Sequence, residues 1–133
     1  IVAQVVEVSV SANHRFTVEK ISCVIDCGEV VYPDQVEAQM QSGIVYGLSA
    51  ALWGRIDFID GAVSQTNFHD YPVLRISEMP RIEVEVLAGR GAPGGVGEPG
   101  TPPVAPALAN ALFAASAERV RTLPITASRW QLG

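Results

Sequence analysis

A block of glycine and proline in the last third of the chain constrains the fold more than any other feature. Eighteen consecutive positions, 89–106, hold six of the 12 glycines and five of the nine prolines. Glycine and proline both disfavour the interior of helices and strands, so this block predicts a loop. From Gly91 to Ala117 the one ionisable side chain is Glu98. The loop therefore carries an isolated carboxylate.

Before this block, β-branched and polar residues alternate in a way that predicts strands. Residues 2–11 and 15–26 both alternate around a short turn-like stretch, which predicts an antiparallel hairpin. Asp60 and Gly61 supply the positive φ angles of a two-residue turn and predict a second hairpin between residues 55–59 and 62–67. Apolar side chains at positions 82, 84 and 86 predict one more strand.

A first helix is predicted from Pro33 and Asp34, which are typical of a helix N-terminus. Its apolar positions recur every four residues: Val36, Met40, Ile44, Leu48 and Leu52. Beside them Gly43, Gly47 and Ala51 form a second stripe of small side chains. Something must lie close against that stripe, either a neighbouring strand or helix or the body of a bound cofactor.

A second helix is predicted to begin at Pro102-Pro103 and to end near Ala117. One of its faces would carry Leu108, Leu112 and Ala115. With the hairpins, the predicted fold class is α+β, combining an antiparallel sheet with two main helices at about 34–53 and 103–117.

The charges and apolar runs exclude some partners. Lys+Arg 9 against Asp+Glu 14 gives a net charge of -5, and no stretch collects three basic residues, so we expect no nucleic acid partner. The apolar runs at 44–53 and 104–117 are too short or too interrupted to cross a bilayer. We expect a soluble protein without membrane insertion or a targeting segment, in the cytoplasm or the periplasm.

The cysteines and histidines are too few and too scattered for a metal centre. On one strand Cys23 and Cys27 would lie roughly 13 Å apart, too far for a disulfide or a shared metal ion, and we expect buried free thiols. The two histidines are His14 and His69. We therefore predict no metal ligands in this chain.

Glu98 allows three interpretations. Residues 95–100 fit the dinucleotide pattern GxGxxG, but seven residues separate Leu87 from Gly95 and Pro99 interrupts the pattern, which argues against it. Alternatively, the loop is a rigid connector whose carboxylate faces water or caps the second helix. Finally, a carboxylate held in an apolar setting has a raised pKa and can act as a general base, with glycines admitting a bulky cofactor.

Several sequence landmarks resemble one enzyme family. The loop reads GVGEP at 95–99, and PPVAPA at 102–107 and NA at 110–111 follow it. Earlier landmarks are VIDCG at 24–28, PD at 33–34, QMQSGIVYGL at 39–48 and NFHDYP at 67–72. Together they resemble the molybdopterin-binding subunit of the xanthine oxidase/aldehyde oxidoreductase family of molybdenum hydroxylases. The closest branch is that of the isoquinoline 1-oxidoreductase β subunit and related aldehyde dehydrogenases.

The resemblance implies a function. Residues 1–133 would be the C-terminal part of a larger molybdopterin-binding domain of the aldehyde oxidase/xanthine dehydrogenase type, inactive on its own. Glu98 would be the catalytic base that takes a proton from a molybdenum-bound hydroxyl, so that oxygen from water is added to an aldehyde or N-heterocycle. Electrons would leave through iron–sulfur clusters or haem on an electron-transfer partner subunit.

The resemblance also implies which residues contact the cofactor. The cofactor would be molybdenum–molybdopterin, with the cytosine dinucleotide form as one variant, shared with the rest of the subunit. Its contacts in this chain would be Gln39, Gly43, Gly95, Val96 and Gly97. We interpret His69 and Asp70 as loop-forming residues. The alternative function is a non-catalytic binding or assembly piece that keeps the fold without the cofactor.

Overall fold

The first predicted hairpin forms the centre of the sheet. In the computed structural model, which describes residues 1–133, β1 (Val2–Val10) pairs antiparallel with β2 (Arg15–Ile25). The other elements are α1 (Pro33–Trp53), β3 (Phe58–Ile59), β4 (Ala62–Val63), β5 (Arg81–Val86), α2 (Val104–Ser116) and β6 (Gln131–Leu132). Both β5 and β6 pair with β2 in parallel, so the sheet is mixed and β2 is its central strand.

A β-bulge keeps one face of the hairpin apolar. Glu7 pairs with Lys20 but Val8 pairs with Val18, which leaves Glu19 as an extra residue in β2. Because a bulge shifts the alternation of its strand by one residue, the inward-facing side chains of β2 change parity there. All five are buried: Phe16, Val18, Ile21, Cys23 and Ile25.

Both helices pack on this apolar face and against each other. The predicted stripe of α1 from Val36 to Leu52 is buried throughout, as is the small stripe beside it. In α2 the buried residues are Val104, Leu108 and Leu112. The prediction for Ala115 is wrong, because the buried face advances in four-residue steps and leaves this residue exposed.

The C-terminal segment completes the core, which the sequence did not predict. Ile125 and Trp130 are buried, and the Trp130 ring packs edge-on against Phe16 with 6.0 Å between ring centroids. After α2 the chain forms a 3₁₀ turn at Ile125–Ala127 and the short β6. It forms no second strand–helix unit, which a dinucleotide site would require.

The predicted α+β class with two main helices is confirmed. The prediction of an antiparallel sheet is wrong beyond the first hairpin, because β5 and β6 reach β2 through long connections and pair with it in parallel. The second hairpin turns at Asp60 and Gly61, with φ of 50° and 80°, but its strands have two residues each. Cys23 is buried, whereas Cys27 lies half-buried after the end of β2; both thiols are free.

No helix of this protein combines the length and the apolar character that a membrane crossing demands.

Candidate functional site

The loop that carries Glu98 is fastened at its beginning to the loop after β2. The backbone N–H of Gly94 donates to the carbonyl of Cys27 at 2.7 Å, and that of Glu29 donates to Gly91 at 2.9 Å. Gly28 has a φ of +78°, and a Cβ there would collide with the Ala92 carbonyl. Only glycine combines this backbone angle with so close an approach.

The end of the loop lies on α1. The Thr101 hydroxyl donates to the carbonyl of Gly43 at 3.0 Å. A Cβ on Gly47 would come within 2.6 Å of the Thr101 carbonyl oxygen. From β1, the Gln4 amide donates to the carbonyl of Gly100 at 2.8 Å. Within the small stripe of α1, Gly43 and Gly47 therefore pack against the backbone of this loop, and not against a strand or a helix.

Between the two fastened ends, Glu98 faces a cavity of about 460 Å³. The other lining residues come from α1 and from the loop itself: Ser42, Gly43, Tyr46, Gly97, Thr101 and Pro102. The backbone carbonyl of Glu98 accepts from Thr101 N–H at 2.9 Å, which closes a turn ahead of α2. The Glu98 side chain is exposed, so the apolar setting expected for this carboxylate is not provided by residues of this chain.

The structure brings most of the predicted site residues together. Gly43, Gly97 and Glu98 line the same cavity, and the Gln39 amide nitrogen lies 4.0 Å from the position of a Cβ on Gly97. The Val96 side chain instead packs against the hydrophobic core. Any contact of Val96 with a cofactor would therefore involve its backbone.

Two glycines beside Glu98 are not explained by packing within the chain. A Cβ on Gly95 would meet no atom within 4 Å, and one on Gly97 would meet only the Gln39 amide at 4.0 Å. Neither glycine has a positive φ. Gly97 lines the Glu98 cavity and leaves space there, whereas the open space at Gly95 lies outside that cavity.

Asp70 shapes a separate loop, in agreement with its interpretation as a structural residue. Its carboxylate accepts hydrogen bonds from the backbone N–H and hydroxyl of Thr66 and from the N–H of Asn67, at 2.8 to 3.0 Å. The backbone bonds from Asn67 and Thr66 lower the pKa of Asp70 to about 2. His69 beside it is exposed.

The side chains of this chain do not form a metal centre. No three His, Cys, Asp or Glu residues are grouped closely enough to hold a metal ion. Burial raises the pKa of the Cys23 thiol, while a hydrogen bond from Gln4 lowers it to a lesser extent, so the neutral thiol is favoured.

Two residues that position the loop were missed by the sequence reasoning, Thr101 and Gln4. A signal existed for each. Gln4 is the one polar residue among the inward-facing positions of β1, and the small stripe of α1 indicated that some backbone lies against it. Neither signal identifies the partner, because Gly100 is 96 positions from Gln4 in the chain.

Known proteins are similar to this chain in sequence and in fold. Residues 1–80 match the family model described as a molybdopterin cofactor-binding domain. The chain is 39% identical over 114 residues to the isoquinoline 1-oxidoreductase subunit beta of Brevundimonas diminuta, covering 86% of this chain and 15% of that protein. It is 37% identical over 109 residues to a membrane-bound aldehyde dehydrogenase [pyrroloquinoline-quinone] of Gluconacetobacter polyoxogenes, covering 82% and 14%.

The fold matches a solved structure as well. The crystal structure of quinoline 2-oxidoreductase from Pseudomonas putida 86 superposes with a TM-score of 0.76 at 25% identity, over 89% of this chain and 16% of that one. The fold and the sequence thus define a piece of a molybdenum hydroxylase-type, molybdopterin-binding subunit. The chain belongs to the molybdopterin cofactor-binding domain family, and it spans about 15% of the length of the curated relatives that it matches.

Proposed function

We propose that residues 1–133 are the C-terminal part of the molybdopterin-binding domain of a molybdenum hydroxylase, in which Glu98 is the catalytic base. The observation that carries the proposal is the space left by Gly97, which lines the cavity beside the exposed carboxylate of Glu98. A glycine that neither packing nor a positive φ explains is expected where a ligand approaches the main chain. The matched family is described as a molybdopterin cofactor-binding domain, which supports a cofactor as that ligand.

The residues around Glu98 leave room for a cofactor against the loop backbone. The backbone of Gly95, Val96 and Gly97 would offer an unobstructed edge, and the Gln39 amide would donate or accept a hydrogen bond beside it. Gly43 would form the floor of the cavity on α1. Both ends of the loop are fastened, so this edge needs little ordering when the cofactor binds.

In this proposal Glu98 performs the proton transfer. The chemistry that a bound molybdenum cofactor supplies is the acidification of water and the acceptance of two electrons. Glu98 accepts the proton from the water-derived group that attacks the substrate carbon. A carboxylate within reach of that group can act as its general base.

The names of the relatives suggest the substrate class. One is named for isoquinoline, one for aldehydes and one for quinoline. We propose an aldehyde or an N-heterocycle as substrate, with water as the oxygen source. The electrons would pass to iron–sulfur clusters or haem on a partner subunit. The name of the aldehyde dehydrogenase specifies pyrroloquinoline quinone, whereas our proposal for this chain is molybdopterin, in its simple or cytosine dinucleotide form.

The test is Glu98→Gln in the full-length subunit. Removing a positioned general base should lower kcat by about 10²- to 10⁴-fold. Molybdenum and pterin, measured by mass spectrometry, should remain at the wild-type ratio. Glu85→Gln, which removes an exposed carboxylate on β5, is the matched control and should leave kcat unchanged. Near-normal turnover of the Glu98 variant would exclude the proposed role of Glu98.

The cofactor content also decides between this function and the alternative assembly piece. Stoichiometric molybdenum and pterin in the purified full-length protein support the enzyme. A stable protein that contains neither, in a cell with ample molybdate, supports the non-catalytic piece. Pyrroloquinoline quinone in place of pterin would show that the cofactor assignment is wrong.

A further inference from the structure

Thr101 links Glu98 to α1 by two hydrogen bonds. Its backbone N–H donates to the carbonyl of Glu98 at 2.9 Å, and its hydroxyl donates to the carbonyl of Gly43 at 3.0 Å. Gly43 lies about one helical turn after Gln39 on α1, and it lines the same cavity as Glu98. Thr101 therefore connects the two sides of the Glu98 cavity through its own atoms.

Packing holds the end of the loop, but it does not hold the Glu98 side chain. A Cβ on Gly47 would lie 3.2 Å from Thr101 Cα, and one on Gly100 would lie 2.9 Å from the carbonyl oxygen of Met40. These contacts leave no free space between the end of the loop and α1. Glu98 is exposed, so the place of its carboxylate in the cavity depends on where its backbone is held.

We propose that Thr101 is a positioning residue for the proton transfer, because its hydroxyl and N–H together fix the backbone of Glu98 relative to α1. The inference rests on the proposed function. A general base acts only within hydrogen-bond reach of the proton that it accepts. A displacement of about 1 Å at such a group can lower the rate by about 100-fold.

The test is Thr101→Val in the full-length subunit. Valine has nearly the shape of threonine and keeps the backbone N–H, so the change removes the hydroxyl alone. We expect kcat to fall by about 10- to 100-fold with KM unchanged, and molybdenum and pterin to remain at the wild-type ratio. Thr101→Ser keeps the hydroxyl and should retain near-normal kcat. Wild-type kcat in Thr101→Val, or equal losses in both variants, would overturn the inference.

Thr126→Val is the matched control. The hydroxyl of Thr126 donates to the carbonyl of Leu52 at 2.5 Å, near the C-terminal end of the same helix and outside the Glu98 cavity. Thr101 and Thr126 are both half-buried. Both valine variants should lower the melting temperature of the subunit by similar amounts, whereas only Thr101→Val should lower kcat. An equal loss of kcat in Thr126→Val would mean general destabilisation and would contradict the proposed positioning.

A double variant shows whether Thr101 acts through Glu98. In a Glu98→Gln subunit, Thr101→Val should cause no further loss of kcat, because the group that Thr101 positions has already been removed. If Thr101→Val lowered kcat by the same factor with and without Glu98, Thr101 would act independently of the base, and the inference would be wrong.

Amide exchange provides a readout that does not depend on activity. In the full-length subunit purified without cofactor, Thr101→Val should speed exchange of the residue 101 amide by about fivefold, the change expected for one lost hydrogen bond. Thr101→Ser and Thr126→Val should exchange like the wild type at this amide. Unchanged exchange in Thr101→Val would show that the hydroxyl does not hold the turn at Glu98, which overturns the inference.

The failure of the inference differs from the failure of the proposed function. Near-normal turnover of Glu98→Gln excludes the role of Glu98, and the positioning role of Thr101 falls with it. Slow turnover of Glu98→Gln together with normal turnover of Thr101→Val excludes the positioning role alone.

Discussion

Two regions of the molecule distribute their apolar side chains in opposite ways. In the sheet and helices, 16 buried hydrophobic residues form one cluster. From Gly54 to Met79, here called the 54–79 segment, no residue is buried. This segment nevertheless holds nine of the sixteen exposed large hydrophobic side chains. Burial of apolar side chains holds the sheet and helices together, and interactions of another kind must hold the 54–79 segment.

The 54–79 segment is held by local polar contacts. Asp57 and Gln65 exchange hydrogen bonds across the second hairpin, where Arg55 and Gln65 also lower the pKa of Asp57. Asp70 accepts three hydrogen bonds within its own loop. Such contacts fix a backbone shape without enclosing an apolar core. Burial of apolar side chains therefore stabilises the sheet and helices, whereas polar contacts fix the backbone of the 54–79 segment and leave its apolar side chains at the surface.

The largest expected effect is the loss of stability when a buried side chain of the core is truncated, compared with truncation of an exposed side chain in the 54–79 segment. Leu48→Ala removes a side chain that is fully buried, and it should lower the free energy of unfolding by about 2–5 kcal/mol. Ile76→Ala removes a side chain that is 94% exposed, and it should change that free energy by less than about 0.5 kcal/mol. Urea unfolding of the 133-residue chain measures both. Similar losses for the two variants would mean that the 54–79 segment has a core of its own.

A smaller effect on stability tests whether the Glu98 loop packs tightly on the helices of the core. A Cβ on Gly47 would lie 2.6 Å from the Thr101 carbonyl oxygen and 3.2 Å from Thr101 Cα. Gly47→Ala should therefore cost about 1–3 kcal/mol by overpacking, despite the better helix propensity of alanine.

The matched control for Gly47 is Gly43→Ala. Its new Cβ would meet Thr101 Oγ1 at 3.3 Å and Gly100 Cα at 3.4 Å, which needs only a small adjustment. Because alanine favours a helix by about 1 kcal/mol over glycine, the net change should be close to zero. If Gly47→Ala were as mild as Gly43→Ala in urea unfolding, the loop would not lie on α1.

The core could be predicted from the sequence because its signals are local. The stripe from Val36 to Leu52 and the alternation of β1 depend on neighbours a few positions away, and both were correct. The bulge at Glu19 also leaves a local trace, since two polar residues separate Val18 from Ile21. The roles of Ile125 and Trp130 were missed because their segment has no periodicity of its own and joins the core only through tertiary packing.

The residues of the candidate site could be predicted from the sequence, but the contacts and the solvent exposure of these residues could not. The position of Glu98 within a glycine-rich loop before a helix follows from the sequence, and so does the need for a close neighbour at Gly47. That this neighbour is Thr101 depends on a contact across 54 positions. Whether Glu98 faces water or an apolar setting could not be decided from the sequence, because a loop that is apolar in sequence is buried only if other residues cover it.

The smallest expected effect is local and depends on pH. Because the hydrogen bonds lower the pKa of Asp70 to about 2 from its usual 3.8, they favour the ionised carboxylate in the folded loop. This contribution to stability is complete above pH 3.8 and is lost as the pH falls through about 2.

Asp70→Asn should remove it at all pH values, since a neutral amide oxygen accepts these bonds more weakly. Amide exchange of Thr66 and Asn67, followed by NMR, should become faster while that of Ile44 stays unchanged. Asp60→Asn is the control, because asparagine also adopts the positive φ of that turn. Faster exchange at Ile44 in the Asp70 variant would show that this loop and the core unfold as one unit, which would remove the distinction between the two regions.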